Sequence, residues 1–248
     1  MELIKRTLRV LESLSHAENG LSVSEVAKDI DISSSSAHRI LKCLTEQSYA
    51  YQEKDTKRYF IGYKVLTLCQ NITQENSLIQ ISKPYIRELR DELNKTIALC
   101  VRKNDTIICI DYADAGDASM YYVRTGFSMP IHSTSAGKIL CSYLDRDKVF
   151  DLLKNTNSTQ NTPFTITNAK DWIKDLDEIQ KQGYAICDEE LQIGIQGIAV
   201  PIFDSQKKAV ASISFTSLKS ENSINSKNID ILKLYAEKIS QILGNNID

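Results

Sequence analysis

The chain has 248 residues, 42% hydrophobic and 25% charged, with a formal net charge of −2. That is apolar material for one large core or two modest ones; it excludes a disordered chain and, at this charge, attraction to nucleic acid by global electrostatics. No apolar run approaches the ~18 residues of a membrane span, and the six cysteines (43, 69, 100, 109, 141 and 187) are scattered without a C-x-x-C pair, which excludes a membrane partner and fits free thiols in a reducing, cytoplasmic setting without disulfide or zinc.

In chain order, residues 1–16 read as an amphipathic helix with Thr7, Val10, Leu11 and Leu14 as its stripe, closed by the turn Asn19-Gly20. This pattern stands where a signal peptide would carry its apolar core. Ser22 and Glu25 have the spacing of a capping box, each side chain bonding the other's backbone amide. Val23, Val26, Ala27 and Ile30 follow at helical spacing, and Asp31-Ile32 make a turn. Ser33 caps a second helix whose Ala37, Ile40, Leu41 and Leu44 form one apolar stripe. Opposite that stripe lie Ser35, Arg39, Lys42 and Glu46, with Ser34, Ser36 and His38 at its flanks. Small side chains at the helix start and donors along the face are what a helix needs to enter a major groove.

Two short strands, residues 48–52 and 58–61, flank a polar turn at 53–57 and end at Gly62. Three helices followed by such a hairpin make a winged helix-turn-helix, with Lys54, Lys57 and Arg58 on the wing placed for phosphates or a minor groove. Residues 1–76 carry ten Lys and Arg against ten Asp and Glu, so binding would rest on local clusters and on two copies of the module. Residues 63–74 resume helical spacing as a connecting helix, and the expected division is 1–62 winged helix, 63–76 linker and 77–248 second domain.

Residues 78–94 read as a long helix that Pro84 kinks or splits. Strands are expected at 97–101, 107–112 and 121–124, a loop at 125–135, helices at 136–144 and 145–155, and a polar loop at 155–160. A helix over 168–182 is stopped by Gly183, strands follow at 184–188, 195–203 and 209–217, and a closing helix spans 229–243. Strands in the middle with helices at both ends give an α+β sensor domain.

The run Pro130-x-His132-x-Thr134-x-Ala136-Gly137-Lys138 and the run Gly183-Tyr184…Glu189-Glu190…Gly194…Ala199-x-Pro201-Ile202, together with the winged helix ahead of them, resemble the IclR-type bacterial transcriptional regulators over nearly the whole length. The resemblance implies an α+β fold with an N-terminal winged helix-turn-helix joined by a helix to a C-terminal GAF-like effector-binding domain. It implies a repressor that acts as a homodimer or homotetramer on double-stranded operator DNA, with affinity set by a small organic-acid or aromatic effector, and with no cofactor, metal or catalytic residue. Carried onto this chain, DNA contacts fall to Ser34, Ser35, Ser36, His38, Arg39, Lys42 and Arg58. The effector falls to backbone amides of Ser135 and Ala136 at a helix start and to Cys187, Gly197, Ser214 and Thr216. Cys187 stands where some relatives carry an acid and Gly197 where some carry a thiol, so a roomier site for a sugar acid or an aromatic acid is expected, not one for two-carbon acids.

Other motifs carry less. Residues 135–138 fail as a phosphate loop, because His132 stands where a glycine is needed and Ile139 follows the lysine. His132, Ser133 and Cys141 lack the nucleophile–base–orienter order of a catalytic group, and His132 is expected to fix its loop. Asp188, Glu189 and Glu190 are expected to be a solvated turn, or to cap and pair. The alternative function is a small-molecule enzyme with an N-terminal assembly module.

Overall fold

The structure, a computed structural model, describes residues 2–68, 77–116, 123–155 and 159–245. The chain divides into two compact units, Met1–Asn76 and Ser77–Asp248.

The first unit holds α1 (Glu2–His16), α2 (Val23–Asp29), α3 (Ser34–Glu46) and an antiparallel hairpin of β1 (Ala50–Gln52) and β2 (Tyr59–Ile61). Both expected caps form: Ser22 and Glu25 close a reciprocal capping box, and the Ser33 side chain accepts from Ser36 N–H. Asp31 turns the chain between α2 and α3 with φ 55°. Val10 and Leu14 from α1, Val26, Ala27 and Ile30 from the α2 segment, and Ala37, Ile40, Leu41 and Leu44 from α3 are buried together with Ala50 and Tyr59. Residues 65–68 are helical; the remainder of the expected connecting helix, 69–74, lies outside the described residues.

The second unit is a six-stranded antiparallel sheet in the order β5-β4-β3-β8-β7-β6. Its strands are β3 (Ile97–Lys103), β4 (Thr106–Ala113), β5 (Ser128–Pro130), β6 (Ala185–Asp188), β7 (Ile195–Phe203) and β8 (Ala209–Leu218). The sheet is buried on both faces, which is why its strands read as nearly continuous apolar runs. One face, with Ile97, Leu99, Ile198, Val200, Ile213 and Phe215, packs on α4 (Ser77–Leu93) and α8 (Ser226–Ile242). The other, with Ala98, Cys100, Ile107 and Cys109, packs on α5 (Ser135–Ser142) and on the Trp172, Leu176 and Ile179 side of α7 (Ala169–Gln182); α6 (Arg146–Asn155) lies against α7. The helices thus cover both faces of the sheet and not merely its ends.

Pro84 lies inside α4 and does not split it, which excludes one of the two expected effects. Two strand expectations are corrected. Of the strand expected at 121–124, Tyr121 and Tyr122 lie outside the described residues and 123–124 are not strand. The edge strand on this side is β5, inside the stretch read as a loop. Its Thr106↔Pro130 and Ile107↔Met129 pairing makes it part of the sheet; a strand of three residues that ends in proline gives no alternation to read, and proline belongs at such an edge.

Candidate DNA-binding and effector sites

On α3 the burial pattern separates two faces. Ala37, Ile40, Leu41 and Leu44 are buried; Ser34, Ser35, His38, Arg39 and Lys42 are exposed and Ser36 is half-buried. The Ser33 hydroxyl lies within hydrogen-bond distance of the hydroxyls of Ser35 (3.1 Å) and Ser36 (2.9 Å), which orders the helix start. Lys42 has only a loose i,i+4 contact with Glu46 at 3.9 Å, so its ammonium is available to another anion.

Arg58 departs from the sequence expectation. Its guanidinium donates to both Glu25 oxygens (3.0 and 2.8 Å) and, from Nε and Nη2, to the carbonyls of Asn19 (2.8 Å) and Gly20 (3.2 and 3.0 Å). The Nε and Nη2 edge of the planar fork that makes arginine a phosphate reader is engaged inside the unit, and Arg58 is not grouped with the exposed α3 donors.

In the second unit, all six residues expected at the effector site line one cavity of about 260 Å³: Ser135, Ala136, Cys187, Gly197, Ser214 and Thr216. They come from four elements, because α5 begins directly over the sheet face shared by β6, β7 and β8. The run 130–138 builds that approach. Thr134 Oγ1 donates to Pro130 O at 2.7 Å and accepts from Gly137 N–H at 3.1 Å, so one hydroxyl caps α5 and fixes the preceding turn. Gly137 is required by close packing: a Cβ there would lie 2.1 Å from the Ile131 carbonyl oxygen. His132 holds its loop, its Nε2 at 3.0 Å from Thr159 O and its carbonyl accepting from Trp172 Nε1 at 3.2 Å. Thr134 takes the amides of Gly137 and Lys138, so among the described residues the first-turn amides of Ser135 and Ala136 are left open to a ligand, as helix starts permit.

The cavity walls contain no charged side chain among the described residues. Hydroxyls of Ser133, Thr134, Ser135, Ser214 and Thr216 gather around the start of α5, while Val123, Met129, Leu191, Ile195 and Leu218 supply apolar surface. Cys187 donates its thiol to Ser133 O at 3.0 Å, and burial pushes that thiol up to about 12. Gly197 gives less room than its size implies, since a Cβ there would meet Ser135 Oγ at 3.1 Å and Thr216 Cγ2 at 3.3 Å. Its lack of a side chain is used chiefly to seat α5 on β7.

Two family models match this sequence. The IclR helix-turn-helix domain matches residues 3–54, and the C-terminal domain of the bacterial transcriptional regulator IclR matches residues 70–241. The chain belongs to the IclR family. It is 29% identical to the HTH-type transcriptional regulator KdgR of Escherichia coli over 243 residues, covering 97% of this chain and 92% of that protein. The IclR crystal structure from Thermotoga maritima superposes with a TM-score of 0.81 at 28% identity, over 98% of this chain and 99% of that one. An IclR homologue from Microbacterium hydrocarbonoxydans, solved with 4-hydroxybenzoate, has the same fold, with a TM-score of 0.82 at 19% identity over 98% and 100% of the two chains. As an IclR-family protein the chain is a DNA-binding transcriptional regulator with a C-terminal effector domain.

One buried ion pair of this IclR chain was not legible in the sequence. Lys138, 2% exposed, sits between Glu190 and Asp175, donating to Glu190 Oε1 and lying 2.8 Å from Asp175 Oδ2. Burial works against its charge, but the two carboxylates outweigh burial and hold Lys138 above the ordinary lysine value. The pair fastens the start of the 189–194 segment, which carries Leu191 and Gln192 into the cavity wall. Of the acidic run, Glu190 is thus buried, whereas Asp188 and Glu189 pair with Lys219 at 2.9 and 2.6 Å.

Proposed function

We propose that the chain is a cytoplasmic, non-enzymatic repressor that holds a near-palindromic operator as a homodimer or a pair of dimers. Residues 1–62 bind DNA, 63–76 link, and 77–248 bind an effector that changes operator affinity. Ser34, Ser35, Ser36, His38, Arg39 and Lys42 enter the major groove on α3, and Lys54 and Lys57 of the wing meet phosphates. Two such helices read half-sites about 34 Å apart. The effector acts by preferring one arrangement of the paired winged helices over another.

The carrying observation is the cavity. It joins the open amides at the start of α5 to an apolar far wall and has no charged side chain among its described lining residues. This suits one carboxylate on an apolar body. A cavity of about 150 Å³ suffices for benzene, so about 260 Å³ accommodates an aromatic ring with its carboxylate. The apolar wall of Val123, Met129, Leu191, Ile195 and Leu218 favours an aromatic ring over a sugar, whose hydroxyls on that side would be stripped of water. The 4-hydroxybenzoate held by the Microbacterium protein has this make-up. The non-enzymatic reading is supported by Cys187, the one thiol among the cavity's described lining residues, which is buried and donates to a carbonyl while burial pushes its pKa up to about 12.

The test is gel retardation of the DNA upstream of the chain's own gene, with and without 4-hydroxybenzoate and a panel of aromatic and sugar acids, alongside calorimetry. A shift that an aromatic acid alters without turnover supports the reading. Heat only with two-carbon acids refutes the effector class; turnover of the acid without any DNA shift favours the enzyme.

A further inference from the structure

Arg58 and Glu25 form a clamp that the groove contacts do not use. Glu25 accepts from Ser22 N–H at 2.7 Å and from the Ser22 hydroxyl at 2.8 Å, capping α2, and the same carboxylate receives both Arg58 bonds. Arg58 directly precedes β2, and its Nε, together with the same Nη2, also reaches the turn ahead of α2. Two further contacts fasten the same strand to the same turn. Leu21 and Tyr59 exchange both backbone hydrogen bonds, at 2.9 and 2.7 Å. Gly20, at φ 63°, lets the Phe60 ring and Tyr59 O approach to where a Cβ would stand 2.7–2.8 Å away. The wing is therefore locked to the start of α2, and α2 packs on α3.

We propose that Arg58 is a positioning residue for operator binding: through Glu25 it fixes the wing relative to the α2–α3 pair, and it touches no phosphate. The inference rests on the DNA-binding reading of residues 1–62. It separates two effects that sequence alone merges. A phosphate-contacting arginine would be replaced tolerably by lysine, and its loss would flatten the salt dependence by about 0.9 per phosphate in the log–log slope. A clamping arginine needs its planar fork, so lysine fails, and its acidic partner matters as much as it does.

The test measures Kd for the duplex that wild-type protein retains best from a genomic fragment library, over a salt series, for Arg58→Ala, Arg58→Lys and Glu25→Gln, with melting temperatures recorded. Glu25→Gln is decisive, because removing a negative charge near DNA strengthens binding by electrostatics alone. The clamp predicts that Arg58→Lys and Glu25→Gln both weaken binding by about fivefold or more while the salt slope stays at the wild-type value, as expected when no phosphate contact is lost. Lysine restoring affinity, Glu25→Gln tightening it, or Arg58→Ala flattening the slope by about one unit overturns the proposal. So does unchanged affinity in all three folded variants. A wild-type chain that retains no duplex refutes the DNA-contact reading itself, and this one with it.

Discussion

Gly137→Ala tests the packing that creates the effector site. The added methyl would stand 2.1 Å from Ile131 O and 2.6 Å from the Ile131 carbonyl carbon and Cα, all backbone atoms. Ordinary contact begins near 3.4 Å, so the start of α5 and the 130–131 segment must part by roughly 1 Å. Overpacking of this kind costs about 1–3 kcal/mol, and each kcal/mol lowers the melting temperature of a unit this size by about 2–4 °C. The displaced turn carries the Ser135 and Ala136 amides, and charge-assisted hydrogen bonds of this type contribute about 1.5–3 kcal/mol. Losing their alignment therefore weakens carboxylate binding by about tenfold to a hundredfold. The assay is thermal unfolding followed by calorimetric titration with 4-hydroxybenzoate or the acid that binds best. Gly197→Ala is the graded control: its nearest neighbour is the Ser135 hydroxyl at 3.1 Å, a side-chain atom that rotates aside, so its melting temperature falls less. Gly137→Ala with a wild-type melting temperature and wild-type affinity would refute the argument that this close approach organises the site.

Further expectations follow from single residues. Arg39→Ala weakens operator binding and leaves effector affinity unchanged; operator affinity within twofold of wild type in a retardation assay refutes the assignment of α3. Lys138→Met leaves the Glu190 and Asp175 carboxylates without their cation, a loss of about 3–5 kcal/mol for a broken buried pair; equilibrium unfolding of the variant shows it, and Lys138→Met combined with Glu190→Leu recovers part of it. Glu25 is held down to about 2 by the Ser22 amide, the Ser22 hydroxyl and Arg58, from an ordinary 4.5. Because its folded value is depressed, its contribution is fully present above pH 4.5 and is lost as pH falls toward 2. The difference in melting temperature between wild type and Glu25→Gln therefore narrows across that window, and a difference constant with pH contradicts it.

The sequence by itself determined the elements whose causes are local. The capping box at Ser22 and Glu25, the Ser33 cap, the stripe from Ala37 to Leu44 and the left-handed stop at Gly183 all act within a few residues, so spacing reveals them. The cavity residues were legible for a different reason: their two motifs resembled those of the IclR family, and spacing gave only that Ser214 and Thr216 share a strand face. Tertiary structure decided what depends on a partner far along the chain. Arg58 looked like a wing cation until the fold brought Glu25, 33 residues away, under its guanidinium. Lys138 looked like the end of a loop motif until Glu190, 52 residues away, was buried beside it. Strand β5 exists only because the exposed edge of β4 accepts it. A charge on the chain declares its sign but not its counterpart, and the counterpart decides whether it serves the ligand or holds the fold.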